Sequence, residues 1–147
     1  MKRGIIAGAC ALALLVTACG SSGGSEKTIA KADYVKQANA ICAAASTDLD
    51  KVSSKIGADA TEADLEKFLT DDLVPNVKGQ IDKLRDLGYP EGDKATLSGI
   101  LDDADQVLDD ISKDPATYIK NVDKDPFVEV NKGFSAYGLT DCGSTDS

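Results

Sequence analysis

Residues 97–111 read LSGILDDADQVLDDI. Leu97, Ile100, Leu101, Ala104, Val107, Leu108 and Ile111 recur at steps of three and four. Asp102, Asp103, Asp105, Asp109 and Asp110 fill the opposite side. This is the pattern of an amphipathic helix with one apolar stripe turned to a core. Asp93 precedes it as a good N-cap, so the spacing predicts a helix from near Asp93 to Ile111.

The same period extends toward the N-terminus. Leu65, Phe68, Leu69, Leu73, Val77, Ile81, Leu84 and Leu87 form a second stripe, opened by Thr61 and Asp64 in a capping-box arrangement. Pro75 falls inside it. Proline removes a helix hydrogen bond and crowds the preceding turn, so a kink or a split into two helices is expected between Asp72 and Pro75. Gly88 and Pro90 end the element. Further upstream, Tyr34, Val35, Ala38, Ile41, Ala45, Leu49, Val52 and Ile56 predict a helix over 32–56, with Gly57 as its C-terminal cap.

Toward the C-terminus, Asp114-Pro115 and Asp125-Pro126 each set a capping Asp before a Pro at the first helical position. The first predicts a turn or two through Tyr118 and Ile119. The second predicts a helix over 126–137 with Phe127, Val130 and Phe134 inward, stopped by Gly138. No stretch alternates with period two long enough to be a strand. The expected fold is all-α, an up-and-down bundle of about four helices.

Composition narrows the function classes. The 147 residues suit one domain. The formal charge is −9, and losing Lys2 and Arg3 with a leader takes it to −11. Such a surface repels nucleic-acid phosphates and anionic lipid heads, so no nucleic-acid partner is expected. There is no His, which removes the side chain best suited to proton transfer near neutral pH and the commonest transition-metal ligand.

The first residues, MKRGIIAGACALALLVTACG, join a basic start (Lys2, Arg3) to an apolar run of twelve residues, 5–16. That run is too short for a stop-transfer helix. Val16-Thr17-Ala18-Cys19 resembles the bacterial lipobox, which implies removal of residues 1–18 and a diacylglyceryl group on Cys19. Two acyl chains hold a protein stably at a bilayer where one holds it marginally. The Gly- and Ser-rich residues 20–25 open a flexible tether expected to run to Lys31. Its twelve residues reach roughly 20 Å as a coil. The folded domain is expected over 32–142, with a disordered tail over 143–147. The implied location is the extracytoplasmic face of the cell membrane.

Of four cysteines, Cys10 falls in the leader and Cys19 is the lipid site. Cys42 and Cys142 remain, an even pair in an oxidising setting, and a disulfide between them is expected to pin the C-terminal segment to the first helix. Two reduced buried thiols are the alternative. The closed loop of about 100 residues would contribute up to about 4.7 kcal/mol on chain-entropy grounds.

Four pieces resemble a group of small, mostly uncharacterised actinobacterial lipoproteins. They are the lipobox, the run Tyr34-Val35-Lys36-Gln37-Ala38-Asn39-Ala40-Ile41-Cys42, the stretch Leu84-Arg85-Asp86-Leu87 followed by Pro90, Gly92 and Asp93, and the ending Tyr137-Gly138-Leu139-Thr140-Asp141-Cys142. Tyr34 stands where the group is expected to carry Phe. The resemblance supports the helical fold and the disulfide, and it carries over no catalytic residues.

The chemistry-bearing patterns are sparse. There is no phosphate loop and no nucleophile elbow. Asp102, Asp105 and Asp109 share one helix face, but a rigid helix offers too few convergent oxygens for calcium. Asp123, Asp125 and Glu129 have a loop-like spacing, yet Val128 stands where an EF-hand needs Gly. The aromatics Tyr34, Phe68, Phe127 and Phe134 read as core. Tyr89 and Tyr118 lie in connections and read as packing or as part of a partner surface. No catalytic, cofactor or metal residues are assigned. The expectation is a non-catalytic, membrane-anchored domain binding an envelope protein or a small apolar ligand. The alternatives are a hydrolase using carboxylates alone and a spacer without a ligand.

Overall fold

In the computed structural model, residues 27–57, 59–121 and 123–144 are described. Residues 1–26, which hold the expected leader and Cys19, and residues 58, 122 and 145–147 lie outside them. The elements are α1 (Lys31–Ser53), α2 (Glu62–Lys67), a π-helical segment (Phe68–Leu73), α3 (Val74–Asp86), α4 (Lys94–Lys113), α5 (Pro115–Lys120) and α6 (Val128–Tyr137). Among the described residues there is no strand, and β pairing is limited to an isolated bridge between Thr28 and Tyr89. The fold is an all-α bundle.

The core follows the apolar stripes. α4 buries Leu97, Leu101, Ala104, Leu108 and Ile111, and α3 adds Val74, Ile81 and Leu84. α6 adds Val130 and Phe134, with Leu139 just beyond it. α1 contributes a narrower line, Tyr34, Ala38 and Cys42. Past Cys42 its apolar residues, Ala45, Leu49 and Val52, are only half-buried, so the second half of α1 is less closely covered than the first.

Cys42 and Cys142 form a disulfide with Cα atoms 5.0 Å apart, joining α1 to the C-terminal segment. Asn39 reinforces this junction. Its amide donates to the Gly138 carbonyl at 3.3 Å, and its Oδ1 accepts from the Asp141 N–H at 3.0 Å.

The Thr61–Asp64 capping box is in place, and the Asp114 side chain caps α5 by accepting from the Thr117 N–H. At Pro75 the chain neither breaks nor divides. It widens into a π turn, with the Val74 N–H reaching the Leu69 carbonyl five residues back. The wider turn accommodates a residue that cannot donate to the ladder.

Several boundaries move from their sequence positions. α1 stops at Ser53, short of Gly57. The Ser53 and Ser54 hydroxyls bond the Asp50 and Lys51 carbonyls, a competition with the helix that Ser favours. Gly57 is not in the left-handed region, whereas Gly138 is, at φ 103°. α6 begins two residues after Pro126. The Asp125 carboxylate accepts from the Phe127 N–H at 2.8 Å, an Asx turn that holds Pro126 and Phe127 outside the helix.

The domain also starts earlier than residue 32. The Lys27 carbonyl accepts from the Tyr89 N–H at 3.2 Å, and the Lys27 ammonium donates to the Asp86 carbonyl at 2.9 Å. Gly88, at φ 80°, permits this approach, since a Cβ there would overlap the Lys27 carbonyl. The last part of the expected tether is therefore docked on the α3–α4 turn. At the other end Gly143 and Ser144 belong to the fold. The Gly143 N–H donates to the Leu139 carbonyl at 3.0 Å.

Candidate ligand-binding cleft

Because α6 packs on α4 while α1 and α3 pack on each other, a cleft of about 390 Å³ opens between α1, α3 and α6. Leu49 of α1 lines it, with Leu73, Val77, Ile81 and Leu84 from the second stripe. Phe127, Val130 and Phe134 come from the α6 side, Ala104 from α4, and Cys142 brings in the disulfide. Ser46, Gln80, Asn131, Asp125, Asp141 and Ser144 supply the polar groups. An apolar lining with a few polar groups, at this volume, is the usual make-up of a small-molecule site.

Neither carboxylate is buried. Both oxygens of Asp125 are engaged in local structure, one by the Phe127 N–H and the other by the Asn131 amide at 3.3 Å. Asp141 bonds through its backbone, and its side chain is exposed. A separate cavity of about 230 Å³ lies between the π segment and α5, lined by Leu65, Phe68, Leu69, Leu73, Tyr118 and Ile119. Leu73 is a wall of both spaces.

The acidic row of α4 is turned to α3. Arg85 donates to Asp102 and Asp105, each at 2.7 Å, and Lys78 to Asp109 at 2.7 Å. That last bond holds the Asp109 carboxyl below its ordinary value and the Lys78 ammonium above its own. These acids thus fasten two helices together through cations the spacing could not assign. Glu129 pairs with Lys132 at 2.8 Å, so the loop-like acids 123, 125 and 129 divide between a turn and a helix-surface pair.

A second polar cluster closes the end of the bundle where α1 starts. Asp93 occupies the N-cap position of α4, but its side chain makes no capping bond. It accepts instead from the Tyr137 hydroxyl at 2.7 Å and pairs with Lys31 at 3.1 Å. Both bonds are charge-assisted on the Asp93 carboxylate. Lys31 also lies 4.2 Å above the Tyr137 ring centroid. Tyr34 meets that ring edge-on, 6.2 Å between centroids. Burial pushes the Tyr34 phenol up to about 12, and burial followed by the Asp93 bond raises that of Tyr137.

Of the residues singled out from sequence, Cys42 and Cys142 are brought together and Cys142 walls the cleft, while Cys19 lies outside the described residues. Tyr34 and Phe134 are buried; Phe68, Phe127, Tyr89 and Tyr118 are half-buried and pack against the core. The polar rim went unread, although it left one signal. The line Tyr34, Ala38, Cys42 continues at the next four-residue step with Ser46. Comparison with family models, curated proteins and solved structures returned no match to the chain.

Proposed function

We propose that the chain is an extracytoplasmic lipoprotein, cleaved before Cys19 and anchored by a diacylglyceryl group there, whose helical domain is a non-catalytic binding module for a small apolar ligand. The anchor reading rests on the basic start, the short apolar run and Val16-Thr17-Ala18-Cys19, and kinship with small actinobacterial lipoproteins belongs to the same proposal. The ligand reading rests on the apolar cleft between α1, α3 and α6. Protein docking is less favoured. Among the described residues the only large apolar side chain left well exposed is Val128, at 39%, and partner surfaces of apolar type need a contiguous patch. The seven residues between Cys19 and Lys27 allow at most about 28 Å of reach, which keeps the cleft near the bilayer.

Two measurements test this. Cys19→Ala should move the protein out of the membrane fraction, and retention there defeats the anchor. Native mass spectrometry of the lipoprotein taken from membranes should find a small molecule that dissociates on unfolding. An empty protein at every preparation defeats the ligand reading.

A further inference from the structure

The charges around the cleft select the kind of molecule it can hold. Its lining contains Asp125 and Asp141 and no Lys or Arg. Of the basic residues of the adjoining α3, Lys78 and Arg85 are held by Asp109, Asp102 and Asp105 of α4, and Lys83 is exposed and outside the lining. On α6, Lys132 is paired with Glu129. An anionic head entering here meets two carboxylates without a cation among the described lining residues, on a chain whose formal charge is −9 in all. A cationic head meets the opposite field. The apolar side chains run from Leu73, at the end of the π segment, along α3 to Leu84, about 16 Å at 1.5 Å per residue. That is an elongated lining suited to a single chain.

We infer that the cleft takes a single-chain amphiphile with a cationic head, its chain laid along α3 and its head beside Asp141, and that it discriminates against fatty carboxylates and anionic phospholipids. This rests on the cleft being an apolar ligand site. Asp141 is the selective residue. Asp125 contributes charge, but its oxygens also hold the turn before α6.

The test uses the full chain in phosphatidylcholine nanodiscs, with methyl NMR of Leu73, Val77, Ile81 and Val130 as readout. The probes are octylammonium, octanol and octanoate, which share one chain. The expected result is movement of these methyls with octylammonium binding about tenfold more tightly than octanoate at low salt, as two exposed carboxylates allow. The gap should shrink at 0.5 M salt, where the screening length is only a few ångströms. Asp141→Asn should narrow the ratio to about threefold while leaving octanol unchanged. Octanoate or octanol binding as tightly as octylammonium overturns the head-group assignment and leaves the apolar site standing. Failure of all three probes to move the methyls overturns both.

Discussion

The Tyr137 hydroxyl donates to the Asp93 carboxylate at 2.7 Å across 44 residues of sequence, tying the end of α6 to the start of α4. That bond, followed by the Lys31 contact, holds the Asp93 carboxyl below the ordinary aspartate range. A carboxyl depressed in the folded state adds stability above the unfolded value, about 3.9, and loses it as pH falls through the folded value. Asp48, Asp64, Asp109 and Asp114 are lowered too, each first by a side-chain hydrogen bond. The melting temperature should therefore fall as pH drops from 4 toward 2. Tyr137→Phe should lower it by a few degrees at pH 7 and make the acid loss shallower. Parallel pH profiles for the two proteins would remove Asp93 from the account.

Tyr34 gives the opposite limb. Its hydroxyl is buried without a hydrogen-bond partner among the described residues, and its pKa is raised to about 12, against about 10 when unfolded. Folding thus favours the protonated phenol. This contribution is intact below pH 10 and declines as pH rises toward 12. Tyr34→Phe deletes the ionisation and the unsatisfied oxygen together, so stability at pH 7 should hold or rise by up to about 1 kcal/mol. The alkaline decline should flatten. A loss above 2 kcal/mol in urea titration at pH 7 would show that the hydroxyl has a structural partner.

Reduction of Cys42–Cys142 should cost about 2–4 kcal/mol. For a domain of this size that lowers the melting temperature by about 10 °C. Calorimetry with and without a phosphine reductant measures it, with intact mass confirming that the bond has opened. An unchanged transition after confirmed reduction would mean that Asn39 and Leu139 hold the segment without the bridge.

Gly88→Ala should destabilise by about 2 kcal/mol. The left-handed backbone alone costs a residue with a Cβ about 1–2 kcal/mol, and that Cβ would also displace the Lys27 carbonyl. Faster exchange of the Tyr89 amide, which bonds to Lys27, should accompany the shift in urea midpoint. A slow Tyr89 amide in the variant would show that residues 27–30 stay docked by other means.

What was legible in the sequence was local. The α4 stripe, the Thr61–Asp64 box, the Asp114 cap and the Gly138 stop depend on neighbours within a few residues. The even cysteine pair needed only the oxidising setting inferred from the leader. What escaped depends on distant partners. Asp93 left its cap for Tyr137, and Lys27 joined the fold through Asp86 and Tyr89. The cleft exists because α6 chose α4 as its support, which no single stripe encodes. Ser53 and Ser54 ended α1 early by a bond that only their rotamers decide.

The π segment sets the phase of everything after it. Leu65, Leu69, Leu73, Val77 and Ile81 follow one another at unbroken steps of four. On a uniform α-helix each such step drifts by about 40°, carrying the series about 160° around the axis. The wide turn at Phe68–Leu73 takes up part of that drift and keeps Leu69 and Ile81 both turned inward. Removing one residue there would let the ladder close as an ordinary α-turn and leave α3 in nearly the same phase, because the wide turn already absorbs about one extra residue. Adding a residue without further widening would instead turn α3 by about 100°, carrying Val77 and Leu84 out of the cleft and Arg85 away from Asp102 and Asp105. The segment thus tolerates the loss of a residue better than the gain of one.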